Sequence, residues 1–393
     1  MSSPIYLPAL GIINALGCGV DEIARRLACG DTSGMVLIDE LLPSGPARIG
    51  RVRGELPEIP PDLSDFASRN NRLLLAALAQ IRPEVDAAIA RFGGARVGIV
   101  LGTSTSGIAE GEAAIAAHRA SGILPAGFSY AQQELGAPAI FLARVLSICG
   151  PAYCVSTACT SSAKAFVSAR NLLQFGLCDA VLVGGVDSLC KLTVNGFAAL
   201  ESISTEICNP MSRNRKGINI GEGAALFLMT RDESAFAFLG AGESSDAYHM
   251  SAPHPEGAGA EAAMRGALAD AGLAEGSVDY LNLHATATPK NDEMESRALS
   301  RVFPAGVAAS GTKPLTGHAL GAAGATELGL CWLALRDGFL PPHVWDGEAD
   351  PALPRLELVT PGQGFGRNSG RVCMSNSFAF GGSNASLLIG DAP

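Results

Sequence analysis

The sequence predicts an α/β layered fold whose sheet is covered on both faces, and three observations predict it. Short, nearly continuous apolar runs rich in β-branched residues recur at residues 96–102, 180–185 and 278–283, the pattern of strands buried on both sides. Stretches with helical pattern alternate with them. The second half also repeats the first in outline: the run at 278–283 ends in His284-Ala285-Thr286-Ala287-Thr288, as the run at 96–101 ends in Gly102-Thr103-Ser104-Thr105. A chain of 393 residues with 48% hydrophobic content can bury a large core in two or three domain-sized units. The join is expected near residues 230–242, separating an N-terminal half, 1–235, from a C-terminal half, 236–393.

Taken in order, the opening residues read as a strand and a loop, followed by a helix over 20–28 closed by Gly30. A Gly/Pro-rich, exposed connection then runs to about Pro61. From Asp65 a helix is expected through Leu78, with Arg69 and Arg72 three apart on one face; an ordinary solvated helix face has the same pattern. Helical pattern returns over 109–120 and over 138–148, where Pro138 fits a first turn. A β-leaning run at 153–156 gives way within a few residues to an Ala/Ser/Lys/Phe stretch with good helix propensity, running to about Phe175. The turn between them is therefore sharp, and Cys159 falls at or just before a helix N-terminus. Later, Gly317-His318 is expected to open a long Ala/Gly/Leu helix. The run from Ser375 to Ala385 reads as a glycine-rich turn between two apolar strands.

Charge and cysteine usage exclude several function classes. A net charge of −10 argues against a nucleic-acid surface, and an acidic protein partner would need a local basic patch. The ten cysteines show no zinc-type spacing, no secretory leader is recognisable, and they read as reduced thiols of a cytoplasmic protein. The apolar opening lacks a basic flank and is broken by Pro8 and Gly11. No run approaches the roughly 18 apolar residues of a membrane span.

Cys159 carries the first chemical expectation. At a helix N-terminus, free backbone N–H groups and the positive end of the macrodipole favour a thiolate, making the sulfur a nucleophile near neutral pH. A small buried hydrophobe, the ordinary fate of a free cysteine, fits the local pattern as well. Of only six histidines, His284 and His318 sit in Gly/Ala/Thr-rich loops at element ends, and Lys313 lies five residues before His318. Together they suit carbon–carbon bond chemistry on thioesters. The cysteine accepts an acyl group, and neutral imidazoles donate to the enolate oxygen of a second thioester without any metal. The glycines near Phe380 allow the close approach of an N–H to an oxyanion.

With those residues in view, the chain resembles a β-ketoacyl-acyl-carrier-protein synthase of the elongating type, on the thiolase fold. The resemblance rests on Leu10-Gly11-Ile12, Thr157-Ala158-Cys159-Thr160-Ser161, Gly221-Glu222-Gly223-Ala224 and Ser245-Asp246-Ala247-Tyr248-His249-Met250. It continues through His284 to Thr288 with Asn291-Asp292, Thr312 to His318 with Gly321-Ala322-Ala323-Gly324, and Asn376 to Asn384. It implies duplicated αβαβαββ halves stacked as a five-layered α-β-α-β-α sandwich. It also implies that Cys159 is acylated and that His284 and His318 support decarboxylative condensation with malonyl carrier. Lys313 and Glu327 would orient the site, and Thr286 and Thr288 would hold the pantetheine arm. The Cys159 and Phe380 amides would form the oxyanion hole, with Phe378, Ala379 and Phe380 as the gate. The implied partners are an acyl carrier protein, which brings substrates on its phosphopantetheine, and a second ketosynthase-like subunit in a homodimer or heterodimer. No bound cofactor or metal is implied. Arg69, Arg72, Arg213 and Arg215 become the candidate docking patch.

Some positions depart from the family's usual pattern. Ala285 and Ala379 replace glycines, and Pro210-Met211-Ser212-Arg213-Asn214-Arg215-Lys216-Gly217 replaces a Pro-Phe/Trp-Asp-x-x-Arg-Asp-Gly run. These point to a specialised synthase, such as one of an aryl-polyene pathway, rather than a housekeeping fatty-acid enzyme. Ala379, if it stands at a hinge needing positive φ, is expected to stiffen the gate and narrow acyl choice. Two alternatives stay open. A coenzyme-A-dependent thiolase would carry a second cysteine where this chain has Ala379-Phe380-Gly381, and a non-catalytic chain-length subunit would lack Cys159.

Overall fold

The computed structural model describes residues 4–392. One twelve-stranded sheet runs through it, and its order mirrors about a central pair. On one side of the centre, strand Ile5–Asn14 is followed by Gly223–Thr230, Ala180–Asp187, Val97–Gly102 and Ala152–Val155. On the other side, Phe236–Ser245 is followed by Ser383–Asp391, Val372–Phe378, Tyr280–Leu283 and Ala308–Gly311, with Glu357–Leu358 at the edge. In each half the outer strands are parallel, three in the first and four in the second with Glu357–Leu358, and the two inner ones are antiparallel. The duplication expected from the two similar loops is thus a duplication of topology. The halves meet where Ile5 pairs with Phe238 and Tyr6 with Ala237.

Helices make the other layers. Ser161–Gln174 and Ala323–Asp337 pack against each other between the two sheet halves, the first on strands Val97–Gly102 and Ala180–Asp187, the second on Val372–Phe378 and Ser383–Asp391. Arg69–Gln80 and Ala137–Leu146 cover one outer face, and Ala258–Ala271 with Pro289–Val302 covers the other. Five layers result. The central core mixes both halves, with Phe166, Phe227, Leu328 and Leu387 in one cluster. Glycine permits two close approaches here: a side chain at Gly102 of the sheet would strike the Ser162 backbone of the first central helix, and one at Gly324 of the second would strike Ala163 of the first.

Most expected elements are present with small shifts. The helix Val20–Ala28 stands as read, and Ile108–Ser121 and Ala137–Leu146 lie within a residue or two of their expected bounds. Three expectations need correction. The helix expected from Asp65 begins at Arg69, where the Ser68 hydroxyl caps the Asn71 N–H, and a 3-10 turn, Pro61–Phe66, precedes it. The Gly/Pro-rich connection before Pro61 contains a hairpin, Met35–Ile38 with Ala47–Gly50, that joins Ile220–Gly221 in a small second sheet and buries Ile49. His318 does not open a helix: Lys313–Thr316 is a short helix of its own, and the long one begins only at Ala323. Among the described residues, no helix is long and apolar enough to cross a membrane, and all ten cysteines are unpaired.

Candidate active site

The carboxyl ends of the parallel strands and the gate hairpin close over a cavity of about 310 Å³ whose floor is Cys159, His284 and His318. Cys159 lies two residues before the helix Ser161–Gln174. Its turn is held open by short side chains: the Ser161 hydroxyl donates to Ala158 O at 2.6 Å, the Thr157 N–H donates to the Ser161 hydroxyl at 2.9 Å, and Thr160 reaches Thr157 O and Ser383. Ala158 accordingly takes φ 54, a left-handed conformation that points the next residue into the cavity.

His318 brings Nε2 to 3.0 Å from Cys159 Sγ, and the His284 ring stands edge-to-face against it with centroids 5.3 Å apart. Both imidazoles are buried, and both pKa values lie well below the usual 6.5, first through burial and then through the nearby Lys313 ammonium; His318 adds to the effect at His284. They are neutral. Each Nδ1 is buried without a partner. A bare lone pair is cheaper to bury than an N–H with no acceptor, so the proton is assigned to Nε2, which faces the sulfur and the cavity. The site thus presents two neutral N–H donors.

Lys313 is fully buried, with Nζ on Glu327 and on the carbonyl of His284, and burial raises the Glu327 carboxyl to about 7 in spite of this contact. The His284 loop is held from beneath by the helix Pro289–Val302. Glu295 accepts the His284 and Ala285 N–H groups, both at 2.7 Å, while Asp292 accepts the Ala287 and Met211 N–H groups at 3.1 and 2.8 Å. Those bonds keep Ala285 and Ala287 at φ 38 and 61. The Thr286 and Thr288 hydroxyls, 2.9 Å apart, line the cavity wall.

The resting nucleophile differs from the expectation. Burial raises the Cys159 pKa to about 11, against the opposing pull of Lys313 and of the Phe380 and Cys159 N–H groups. Desolvation outweighs the helix terminus, so Cys159 rests as a thiol. The same two amides face the sulfur's side of the cavity, where the oxygen of an acyl group on Sγ would lie. Phe378 packs its ring 6.0 Å from His284, and Phe380 packs 5.4 Å from Phe197. Ala379 has an ordinary negative φ. The positive angles of the gate belong to Gly381 and Gly382, φ 86 and 79, so Ala379 is not the hinge.

The four arginines do not form a free patch. Arg69 holds the buried Glu222 through two hydrogen bonds, one of 2.7 Å, and Arg72 is bound to the carbonyls of Leu56 and Pro57 and to Glu58. Arg215 is nearly buried against Asp350 at 2.5 Å. Only Arg213 is mostly exposed, in a surface pair with Glu348 at 2.7 Å.

Sequence reasoning missed Asp187, Glu295 and Phe197. Asp187, at the end of an all-apolar strand, is fully buried and accepts from five donors at 2.8 to 3.2 Å, one each on Thr103, Ser104 and Ala322 and two on Thr105, the Ser104 N–H being shared between both carboxylate oxygens. It ties the loop after Val97–Gly102 to the turn that leads into the second central helix. A lone charge closing an apolar run was the available signal. The sulfur and the two imidazole nitrogens lie within 4.8 Å of one another, a donor set that fits a soft divalent cation. The bare Nδ1 atoms lack the outer hydrogen bonds that orient metal-binding histidines.

Comparison with known proteins agrees with this geometry. A family profile described as "Beta-ketoacyl synthase, N-terminal domain" matches residues 47–235, and "Beta-ketoacyl synthase, C-terminal domain" matches 236–345. Nodulation protein E of Rhizobium sp. (strain N33) is 32% identical, with 99% of each chain covered. The chloroplastic 3-oxoacyl-[acyl-carrier-protein] synthase II of Arabidopsis thaliana is 33% identical over 77% of this chain and 59% of its own length. Among solved structures, a ketosynthase in complex with its chain length factor from Xenorhabdus doucetiae has a TM-score of 0.95 at 48% identity, covering 99% of this chain and 98% of that one. A cysteine at a strand-to-helix turn, two neutral histidines and a buried lysine on a mirrored five-layer fold, matched along most of the chain, place this protein in the β-ketoacyl synthase family.

Proposed function

We propose that the protein is a β-ketoacyl-acyl-carrier-protein synthase that acylates Cys159 and then extends the acyl group by two carbons. The observation that carries the reading is the 3.0 Å contact of His318 Nε2 with Cys159 Sγ, with the His284 ring edge-on to His318 in the same cavity. In the first half-reaction Sγ attacks the carrier thioester, the oxyanion rests on the two amides, and the carrier leaves as a thiol with the cysteine's proton. Malonyl carrier then loses carbon dioxide. Its enolate oxygen accepts the Nε2–H bonds of His284 and His318, its carbon attacks the Cys159 thioester, and the sulfur is released and reprotonated. Lys313 acts by keeping both imidazoles neutral and by fixing the His284 carbonyl, with Glu327 as its counter-charge. Thr286 and Thr288 serve the pantetheine arm, and Phe380 and Phe378 the gate.

Several finer points belong to the same proposal. The ketosynthase of X. doucetiae is described with a chain length factor. A comparable partner fits this chain, because the edge strand Ala152–Val155 is unpaired on one side and the helices Ile108–Ser121 and Lys191–Ala199 expose Ile115 and Leu192. Of the docking arginines, Arg213 is the one we retain for the carrier, since an exposed ion pair is cheap to exchange. Departures at Ala285 and in 210–217 favour a polyketide-type pathway such as aryl-polyene assembly. Ten free thiols fit a reducing cytoplasm. Cys159 argues against the non-catalytic subunit, and the missing second cysteine argues against a thiolase.

Intact-protein mass spectrometry after incubation with a panel of acyl carriers tests the assignment. The wild type should gain one acyl mass, and Cys159→Ala should gain none and should not condense, while retaining some malonyl decarboxylation. Condensation by Cys159→Ala would overturn the reading.

A further inference from the structure

The cavity above Cys159 has one cation on its wall, and the catalytic reading leaves it unused. Lys290 lines the mouth beside Thr288, exposed, at the second position of the helix Pro289–Val302. The acidic residues next to it are otherwise engaged: Asp292 is buried on the Ala287 and Met211 amides, and Glu293 pairs with Arg297 at 2.6 Å. Among the described residues no carboxylate is ion-paired with Lys290. Thr288, the residue before the helix, gives no side-chain cap to the first turn, because its hydroxyl meets Thr286 instead. Pro289 has no N–H and the Asp292 N–H is bonded to Thr288 O, which leaves the Lys290 and Asn291 amides of the first turn open to an anion, with an ammonium group beside them. The other full charge on the wall is Glu201, of the wrong sign for that role.

We propose that Lys290 and the uncapped first turn of its helix hold the phosphate of the carrier's phosphopantetheine at the cavity mouth. The proposal rests on the ketosynthase reading and deepens it. The arm must enter a cavity whose wall carries Thr286 and Thr288, and its phosphodiester is the one strong anion that travels with it. An ammonium side chain suits a phosphate as a point charge. In a protein of net charge −10, a single cation at the entrance also counters the field that an acidic carrier meets.

The test compares acyl-phosphopantetheine with acyl-pantetheine, identical thioesters that differ in the phosphate. The wild type should favour the phosphorylated thioester in kcat/KM by roughly fivefold, the effect of a favourable exposed charge at a helix N-terminus, and the preference should fade with added salt. Lys290→Ala and Lys290→Glu should bring the ratio to about one or below, and Lys290→Arg should restore it. Equal losses with both thioesters, or a ratio indifferent to Lys290, would overturn the proposal. A readout without turnover separates it from the catalytic reading: protection of the Cys159 thiol from alkylation by free phosphopantetheine against free pantetheine. Phosphate-dependent protection that Lys290→Ala abolishes, in a protein that never becomes acylated, would keep the phosphate site and sink the synthase. Acylation with no phosphate-dependent protection would do the reverse.

Discussion

His284 and His318 are neutral for two reasons that reinforce each other, burial and the Lys313 ammonium, and a neutral imidazole with Nε2–H is what an enolate oxygen needs. His284→Ala and His318→Ala are each expected to slow condensation about 100- to 1000-fold, the usual loss for one such donor. Acylation of Cys159, followed separately by mass, should suffer less, and equal loss in both half-reactions would assign the histidines to the nucleophile instead. Because the neutral form is the active one and the folded pKa values lie well below 6.5, malonyl decarboxylation should stay level as pH falls through 6.5 and decline only well below that value. Ala285 carries a second residue-level expectation. Its φ of 38 costs an L-residue about 1–2 kcal/mol, and glycine would recover part of that against about 0.4–1 kcal/mol of extra unfolded-state entropy. Ala285→Gly should therefore leave thermal stability equal or raised by up to about 1 kcal/mol, and a clear drop in melting temperature would mean that the loop is unstrained.

Asp187 shows how elements, rather than single residues, set the site. Its carboxylate joins the loop after Val97–Gly102 to the Ala322 amide that leads into the second central helix, and that loop in turn touches the cysteine turn where the Ser104 hydroxyl donates to Ala158 O at 3.4 Å. Asp187→Asn places an NH₂ group among five donors, and we expect a loss of about 2–4 kcal/mol in urea denaturation with a fall in condensation, because a buried acceptor is exchanged for a donor. An unchanged midpoint would leave Asp187 without this role. The strands, the central helices and the cysteine turn were legible in the sequence because each rests on local pattern: apolar runs, helix formers, glycine spacing. Cys159 was placed correctly but its ionisation was not, since a helix N-terminus can be read from neighbours in sequence whereas desolvation is set by the His284, His318 and gate loops closing over it. The engagement of Arg69 and Arg72 was not legible for the same reason. Their partners, Glu222 and the carbonyls of Leu56 and Pro57, lie far away in sequence or in an irregular stretch. Lys313, by contrast, was legible only as a neighbour of His318, and its burial depends on the whole central layer.

At the scale of the molecule, acid sensitivity has an identifiable pin. His343 accepts the Gly311 N–H at Nδ1 and donates from Nε2 to Pro210 O, both at 3.0 Å, and burial holds its pKa down to about 4. Between pH 6.5 and 4 the unfolded chain binds this proton and the folded one does not, so stability falls as pH falls, by up to about 3 kcal/mol from this group. Glu295 and Glu327, raised to about 7, act oppositely: they withdraw stability as pH rises from their unfolded values near 4.5 towards 7. The comparison that isolates His343 is therefore wild type against His343→Gln, with urea midpoints at pH 7 and 4.5. The wild type should lose more on acidification, and parallel losses would show that the pin lies elsewhere. The mirrored sheet has a consequence in time as well as in space. Cys159 belongs to the first half, while His284, Lys313, His318 and the Phe380 amide all come from the second, with more than 200 residues between the sulfur and the gate. At about 5–20 residues per second, a ribosome makes the nucleophile roughly 6–25 seconds before His284 and about 10–45 seconds before the gate. During that interval the thiol is as open to oxidants as any cysteine on an unfinished chain, so faithful production of the enzyme depends on reducing surroundings at the site of synthesis.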